Sequence, residues 1–267
     1  ARHAFGRHEE VWLKGGQGED VQMWLVYPPD FDPKRRWPAL QVIHGGPHTA
    51  FGDSWHWRWN HQVFAHSGRV VACVNYHGSS SFGHAFKDSI SGRWGELELQ
   101  DVEAGSDWLL KQRWCDKKRL SATGGSYGGY MVAWMNGHTG QGVPPGRYRA
   151  YVCHAGCFDW QAMFASDAYA WFPLELGAAY WDDPARVAAQ SPHAFVQNLA
   201  TPTLVMHGQL DYRVPDAQGL AYYNTLKARG IPARVLCFPD GNHWILKPRN
   251  SKLWYAEFFG WLQQHGA

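Results

Sequence analysis

The chain has 267 residues, 45% hydrophobic and 18% charged, and its 25 basic and 23 acidic side chains leave a net charge of +2. That length is enough to bury a sizeable core. The even charge balance, with no basic run, argues against nucleic acid or an anionic membrane as partner, and no apolar run approaches the roughly 18 residues of a membrane span.

The first ten residues, ARHAFGRHEE, carry no apolar signal core. EVWLK and VQMWLVY then flank the glycine-rich GGQGED and read as a hairpin. Six further apolar runs follow: Ala39 to His44, Arg69 to Asn75, Arg119 to Thr123, Arg149 to His154, Pro202 to His207 and Ala233 to Phe238. They are continuously apolar rather than alternating, as strands covered on both faces are. Between them lie helical patterns. LQDVEAGSDWLLKQ (Leu99 to Gln112) carries an apolar stripe at Val102, Trp108 and Leu109. A second helix starts after Pro215, with Asp216 as its N-cap, and stops at Gly230; LWYAEFFGWLQQ closes the chain. The aromatic, proline-punctuated stretch 158–197 is too long for a connection and reads as an insertion of short helices over one end of the sheet. The expected fold is α/β: an eight-stranded, mostly parallel sheet with helices on both faces, in one domain spanning 1–267. Ligand sites in such sheets lie at the carboxyl ends of the strands.

Cysteine and histidine suggest no metal or redox chemistry. Of the five cysteines, Cys73, Cys153 and Cys237 fall in apolar runs and read as buried free thiols, with no CxxC pair. His44, His48, His56, His61 and His66 lie close in sequence, but their spacings fit no standard template and HExxH is absent. No metal and no cofactor is expected.

The chemistry points to TGGSYGGYM, residues Thr123 to Met131. Gly124-Gly125-Ser126-Tyr127-Gly128 is a G-x-S-x-G motif directly after a strand and before a helical segment. A phosphate loop would need a following lysine, and a flexible linker would not sit between two apolar elements. A sharp strand-to-helix turn leaves no room for side chains two positions either side of the serine, and it sets the Tyr127 amide at a helix N-terminus. A serine needs a base, and the base an orienting carboxylate. Asp211 follows PTLVMH and His243 follows ARVLCFPDGN, both at strand ends and in the order Ser, Asp, His. Asp216 reads instead as a cap, Asp240 as too close to His243 along its loop, and His207 as a packed histidine. The loop His44-Gly45-Gly46-Pro47 offers the Gly46 amide as second oxyanion donor, beside that of Tyr127.

Together HGGP, GGSYGGYM, TPTLVMHGQLDYRVP and FPDGNHW resemble the catalytic domain of the prolyl oligopeptidase family of serine peptidases, in its acylaminoacyl-peptidase and dipeptidyl-peptidase V branch. The resemblance runs from about Val11 to the C-terminus. It implies an α/β-hydrolase fold and a Ser126, Asp211, His243 triad. Several members place a tyrosine hydroxyl in the oxyanion hole where this chain has His44, so backbone amides would carry that load. The resemblance further implies Arg213 as a ligand of a substrate carbonyl, and Val214 and Trp160 as walls of the pocket before the cut bond. Members also carry a β-propeller that screens substrates by size, which the residues before Val11 are too few to form. The expectation is a serine hydrolase that cleaves peptide or acyl-aminoacyl amide bonds of short peptides. The alternatives are a carboxylesterase acting on small acyl esters, or a catalytic domain inactive without its propeller. Self-association over the aromatic insertion is a further expectation.

Overall fold

A computed structural model describes residues 4–267, so the first three residues of the N-terminal stretch read above lie outside the described residues. The strands are β1 (His8–Lys14), β2 (Asp20–Val26), β3 (Trp37–Ile43), β4 (Val70–Val74), β5 (Cys115–Gly125), β6 (Ala150–His154), β7 (Thr203–Gly208) and β8 (Ala233–Phe238). They form one sheet in the order β1-β2-β4-β3-β5-β6-β7-β8. β1 and β2 make the expected antiparallel hairpin, β2 joins β4 antiparallel, and β3 to β8 are parallel. The inner strands β3, β4, β6 and β7 are buried along their whole length, which is why their sequences do not alternate.

The helices are α1 (His61–His66), α2 (His84–Asp88), α3 (Leu97–Lys111), α4 (Tyr127–Gly137), α5 (Phe172–Leu176), α6 (Pro184–Ala189), α7 (Asp216–Ala228) and α8 (Pro248–Gln264). Two cores result. Leu99, Val102 and Leu109 of α3, nearly all of α4, and Tyr222 and Leu226 of α7 pack on one face. Phe64 of α1 and Trp254, Phe258, Trp261 and Leu262 of α8 pack on the other. This is the α/β-hydrolase architecture.

Three expectations shift. Asp216 is the first residue of α7 rather than its cap; Pro215 holds the cap position and makes no side-chain capping bond, so Asp216 acts on the helix dipole alone. Helix α8 starts at Pro248, five residues before the apolar pattern, because proline is preset for a first helical turn. Cys237 is only half-buried, whereas Cys73 and Cys153 are buried; none of the five cysteines is bonded. The insertion does carry short helices, α5 and α6 between two 3-10 turns, and its last turn docks on α4, where Asn198 Nδ2 donates to the Gly137 carbonyl at 2.9 Å.

The backbone at the start of α4 leaves no space for side chains. A Cβ on Gly124 would lie 2.3 Å from the Gly128 oxygen, and one on Gly128 would lie 2.2 Å from the Ile43 oxygen at the end of β3. Gly260, on the exposed side of α8, faces nothing within 4 Å. Gly128→Ala is therefore expected to cost about 2–3 kcal/mol or more in denaturant unfolding through overpacking. Gly260→Ala should stabilise by about 0.5–1 kcal/mol through reduced chain entropy; equal effects of the two would refute this reading.

Candidate active site

Ser126 lies between β5 and α4 with φ 59° and ψ −122°. This left-handed backbone lifts the residue out of the strand line, and two bonds hold it there: its amide donates to the His154 carbonyl at 3.0 Å, and its carbonyl accepts from the Tyr130 amide at 2.9 Å. The Tyr127 amide opens α4 and has no acceptor within the helix, so it is free for an anion at the positive end of the dipole. Across from it the loop after β3 passes at backbone distance: a Cβ on Gly45 would stand 2.9 Å from the Gly125 oxygen and 3.1 Å from Ser126 Cβ. Gly46, at φ 125°, adopts a conformation that suits glycine. Gly45, Gly46, Ser126 and His243 line a single cavity of about 390 Å³.

His243 Nδ1 lies 2.7 Å from Asp211 Oδ2. With that nitrogen donating, Nε2 keeps its lone pair for a proton. Asp211 Oδ1 accepts from the amides of Arg213 at 3.0 Å and Val214 at 2.9 Å. Burial alone would push this carboxyl up. The imidazoles of His207 and His243 and the Val214 amide outweigh it, and Asp211 is held well below the usual carboxylate range. His207 sits 3.5 Å from Asp211 and is itself fixed by a 2.8 Å bond to the Val214 carbonyl. Asp240 is outside this network, paired at the surface with Lys247 at 2.6 Å. Among the described residues no hydrogen bond joins Ser126 Oγ to His243; in ligand-free hydrolases such contacts are commonly long and tighten on substrate binding.

His44 has both ring nitrogens engaged, Nε2 at 2.8 Å from Ser79 Oγ and Nδ1 at 2.8 Å from the Gly45 carbonyl, and its ring stacks on Tyr76. Burial holds the imidazole down at about 4, so it is neutral. Arg213 borders the cavity, but its Nε is 2.5 Å from Asp167 Oδ1. Val214 and Trp160 do not line this cavity. Val214 is buried against the Asp211 turn. Trp160 is packed among Trp94, Tyr130 and Phe172, with its indole N–H given to the Gln190 carbonyl at 2.8 Å. The wall role that the resemblance implies for these two therefore has no support from this cavity, and both side chains are engaged in packing.

Four residues went unread in the sequence. His154, at the end of β6, receives the Trp254 indole N–H on Nδ1 at 3.1 Å. Its Nε2 therefore carries the proton and donates to the His243 carbonyl at 3.1 Å. One residue thus anchors the Ser126 amide through its backbone and the His243 backbone through its ring. The benzo edge of Trp59 abuts Gly125, where a Cβ would come within 1.9 Å of it. Arg58 is stacked between Trp59 and Trp244. A histidine closing a strand was visible in VCH, but nothing in the sequence tied it to the last loop. The fourth, buried Glu98, accepts the Tyr127 hydroxyl at 2.5 Å and braces the first residue of α4. Burial, only partly offset by that bond, pushes Glu98 up to about 7.

Comparison with known proteins adds three findings. Residues 55–267 match the prolyl oligopeptidase family. The chain is 36% identical over 261 residues to a dipeptidyl-peptidase 5 of Porphyromonas gingivalis, covering 96% of this chain and 37% of the relative. It is 38% identical over 258 residues to that of Schizosaccharomyces pombe, again covering 96% and 37%. It thus spans little more than a third of the length of these curated relatives. The fold superposes on Pyrococcus horikoshii acylaminoacyl peptidase with a TM-score of 0.88 at 24% identity, covering 97% of this chain and 42% of that one.

The raised Glu98 predicts a pH signature. The folded state holds this proton up to about 7 while an unfolded glutamate releases it near 4.5, so this residue makes stability fall as pH rises through that window. Glu98→Gln should gain melting temperature relative to wild type, by a few degrees between pH 5 and 8. A constant difference across that range would refute the buried-acid assignment. Glu103, also pushed up to about 7 by burial, keeps part of the decline in the variant.

Proposed function

The chain belongs to the prolyl oligopeptidase family, and on that premise we propose that it is a serine peptidase cleaving peptide or acyl-aminoacyl amide bonds of short peptides through an acyl-enzyme on Ser126. The observation that carries this is the 2.7 Å His243–Asp211 bond, which orients an imidazole at the cavity that Ser126, just before α4, also lines. The names of the relatives, dipeptidyl-peptidase 5 and acylaminoacyl peptidase, support amide substrates.

In this mechanism Ser126 Oγ attacks the scissile carbonyl carbon while His243 Nε2 takes the hydroxyl proton. The carbonyl oxygen becomes an oxyanion held by the Gly46 and Tyr127 amides, donors commonly worth roughly 3–4 kcal/mol each. Collapse breaks the C–N bond and His243 returns its proton to the leaving amine. Water, deprotonated by the same nitrogen, then releases the acyl group and restores the Ser126 hydroxyl. Asp211 stays ionised throughout and stabilises the imidazolium. Arg213 would turn from Asp167 to hold a carbonyl of the bound peptide.

The same groups cleave esters, and the open cavity favours that second reading for small acyl substrates. Exposed Tyr169, Leu174 and Trp181 on the insertion form the face over which a covering domain or a second copy would sit.

Ser126→Ala is expected to abolish labelling by an active-site phosphonate, and undiminished labelling sinks the nucleophile. Matched aryl-amide peptides and p-nitrophenyl esters separate the two readings: amide turnover at background beside rapid ester cleavage favours the esterase. His154→Phe should lower kcat roughly tenfold with KM within about twofold, because it frees the His243 backbone without touching substrate; an unchanged kcat counts against the anchor.

A further inference from the structure

The cavity above Ser126 has an asymmetric charge. Its wall contains two arginines and no carboxylate. Arg213 is neutralised by Asp167. Arg58 has no carboxylate partner within ion-pair distance among the described residues. Its guanidinium carbon lies 3.7 Å from the Trp59 ring centroid and 4.0 Å from that of Trp244. Two indole faces offer a guanidinium no hydrogen-bond acceptor, so its N–H groups, which recognise carboxylates bidentately, have no side-chain acceptor among the described residues. One terminal nitrogen, Nη1, is enclosed and has no hydrogen-bond partner. Burial lowers the group to about 9, which still leaves it charged at neutral pH. A partly desolvated cation that receives no anion from its own chain is costly unless a ligand supplies one.

Its position tells which part of a ligand. His243 is the group that protonates the departing amine, and Trp244 follows it directly. The Trp244 ring lies 5.2 Å from the His243 ring, centroid to centroid, so a cation stacked on Trp244 is nearer the group that serves the leaving fragment.

We infer that Arg58 binds a carboxylate on the leaving fragment of the substrate, making this cavity selective for peptides that bear an anion shortly after the cut bond. This rests on the peptidase reading above. The anion could be the free C-terminus of a short leaving fragment or an acidic side chain within it.

The test uses the 267-residue chain and three quenched fluorogenic peptides with the same acyl part and a two-residue leaving fragment. The first ends in a free carboxylate, the second in an amide, and the third in an amide with glutamate as the last residue. The carboxylate-bearing peptides should exceed the plain amide in kcat/KM by roughly tenfold, the size of one charge-assisted hydrogen bond. Which of the two exceeds it identifies the anion's source. In Arg58→Met that ratio should fall to about one, and Arg58→Lys should keep part of it. A wild-type ratio of one overturns the inference without any variant, and so does a ratio that survives Arg58→Met. If none of the peptides turns over while p-nitrophenyl esters do, the peptidase reading has failed separately. The same peptides then serve as competitive inhibitors of ester cleavage, where equal inhibition by acid and amide overturns the Arg58 site and a tenfold preference for the acid supports it.

Discussion

Everything at this site depends on how closely helix α4 approaches the end of the sheet. The helix starts where β5 stops, with Gly128 so near the Ile43 oxygen that a single methyl would not fit. That contact brings the first turn of a helix, with its unpaired amides, to the edge of a parallel sheet. It also forces Ser126 into a positive φ, which costs on the order of 1–3 kcal/mol. The strain is offset by burial of every residue of α4 between the sheet and the insertion. The position of Ser126, the amide beside it and the entry of the loop after β3 all follow from the same packing.

The second half of the site is built differently. His243 lies on a loop, where backbone is ordinarily mobile, and it is held from two sides. Asp211 fixes its ring, and His154 fixes its carbonyl. Because His154 also receives the Trp254 indole N–H of α8 and accepts the Ser126 amide on its carbonyl, one residue holds both the His243 loop and the Ser126 turn. Fixed geometry at the reacting atoms then comes from a residue that touches neither proton nor substrate.

The sheet was legible in the sequence because continuous apolar runs of this length suit strands covered on both faces and little else. The strand-end positions of Ser126, Asp211 and His243, and with them the Asp211–His243 contact, were legible because each residue follows a continuous apolar run. What stayed hidden was relational. Asp216 looked like a cap because aspartate before a helix usually is one, yet Pro215 had already set the entry. Helix α8 began earlier than its pattern because its first turn, PRNSK, faces water and carries no apolar signal. The aromatic packing of Trp160 against Trp94, Tyr130 and Phe172 was not readable, because those rings come from distant stretches of the chain. Arg58 could not be read at all, since its meaning lies in two indoles, one of them almost two hundred residues away.

Burial acts alike on Asp211 and Glu98, but the outcomes are opposite. Both carboxyls are buried, and for both the loss of water favours the neutral acid. Asp211 accepts from two backbone amides and lies beside two imidazoles, enough to keep it ionised. Glu98 has a tyrosine hydroxyl and one amide, and no cation, so it keeps its proton to about 7. The number and charge of the donors, and not depth, decide which becomes the anion. Negative charge is thereby confined to the place behind His243 where it can stabilise an imidazolium. The carboxyl behind Tyr127 is uncharged below about 7, and in that range it braces the residue without setting a second anion near the amide proposed to receive an oxyanion.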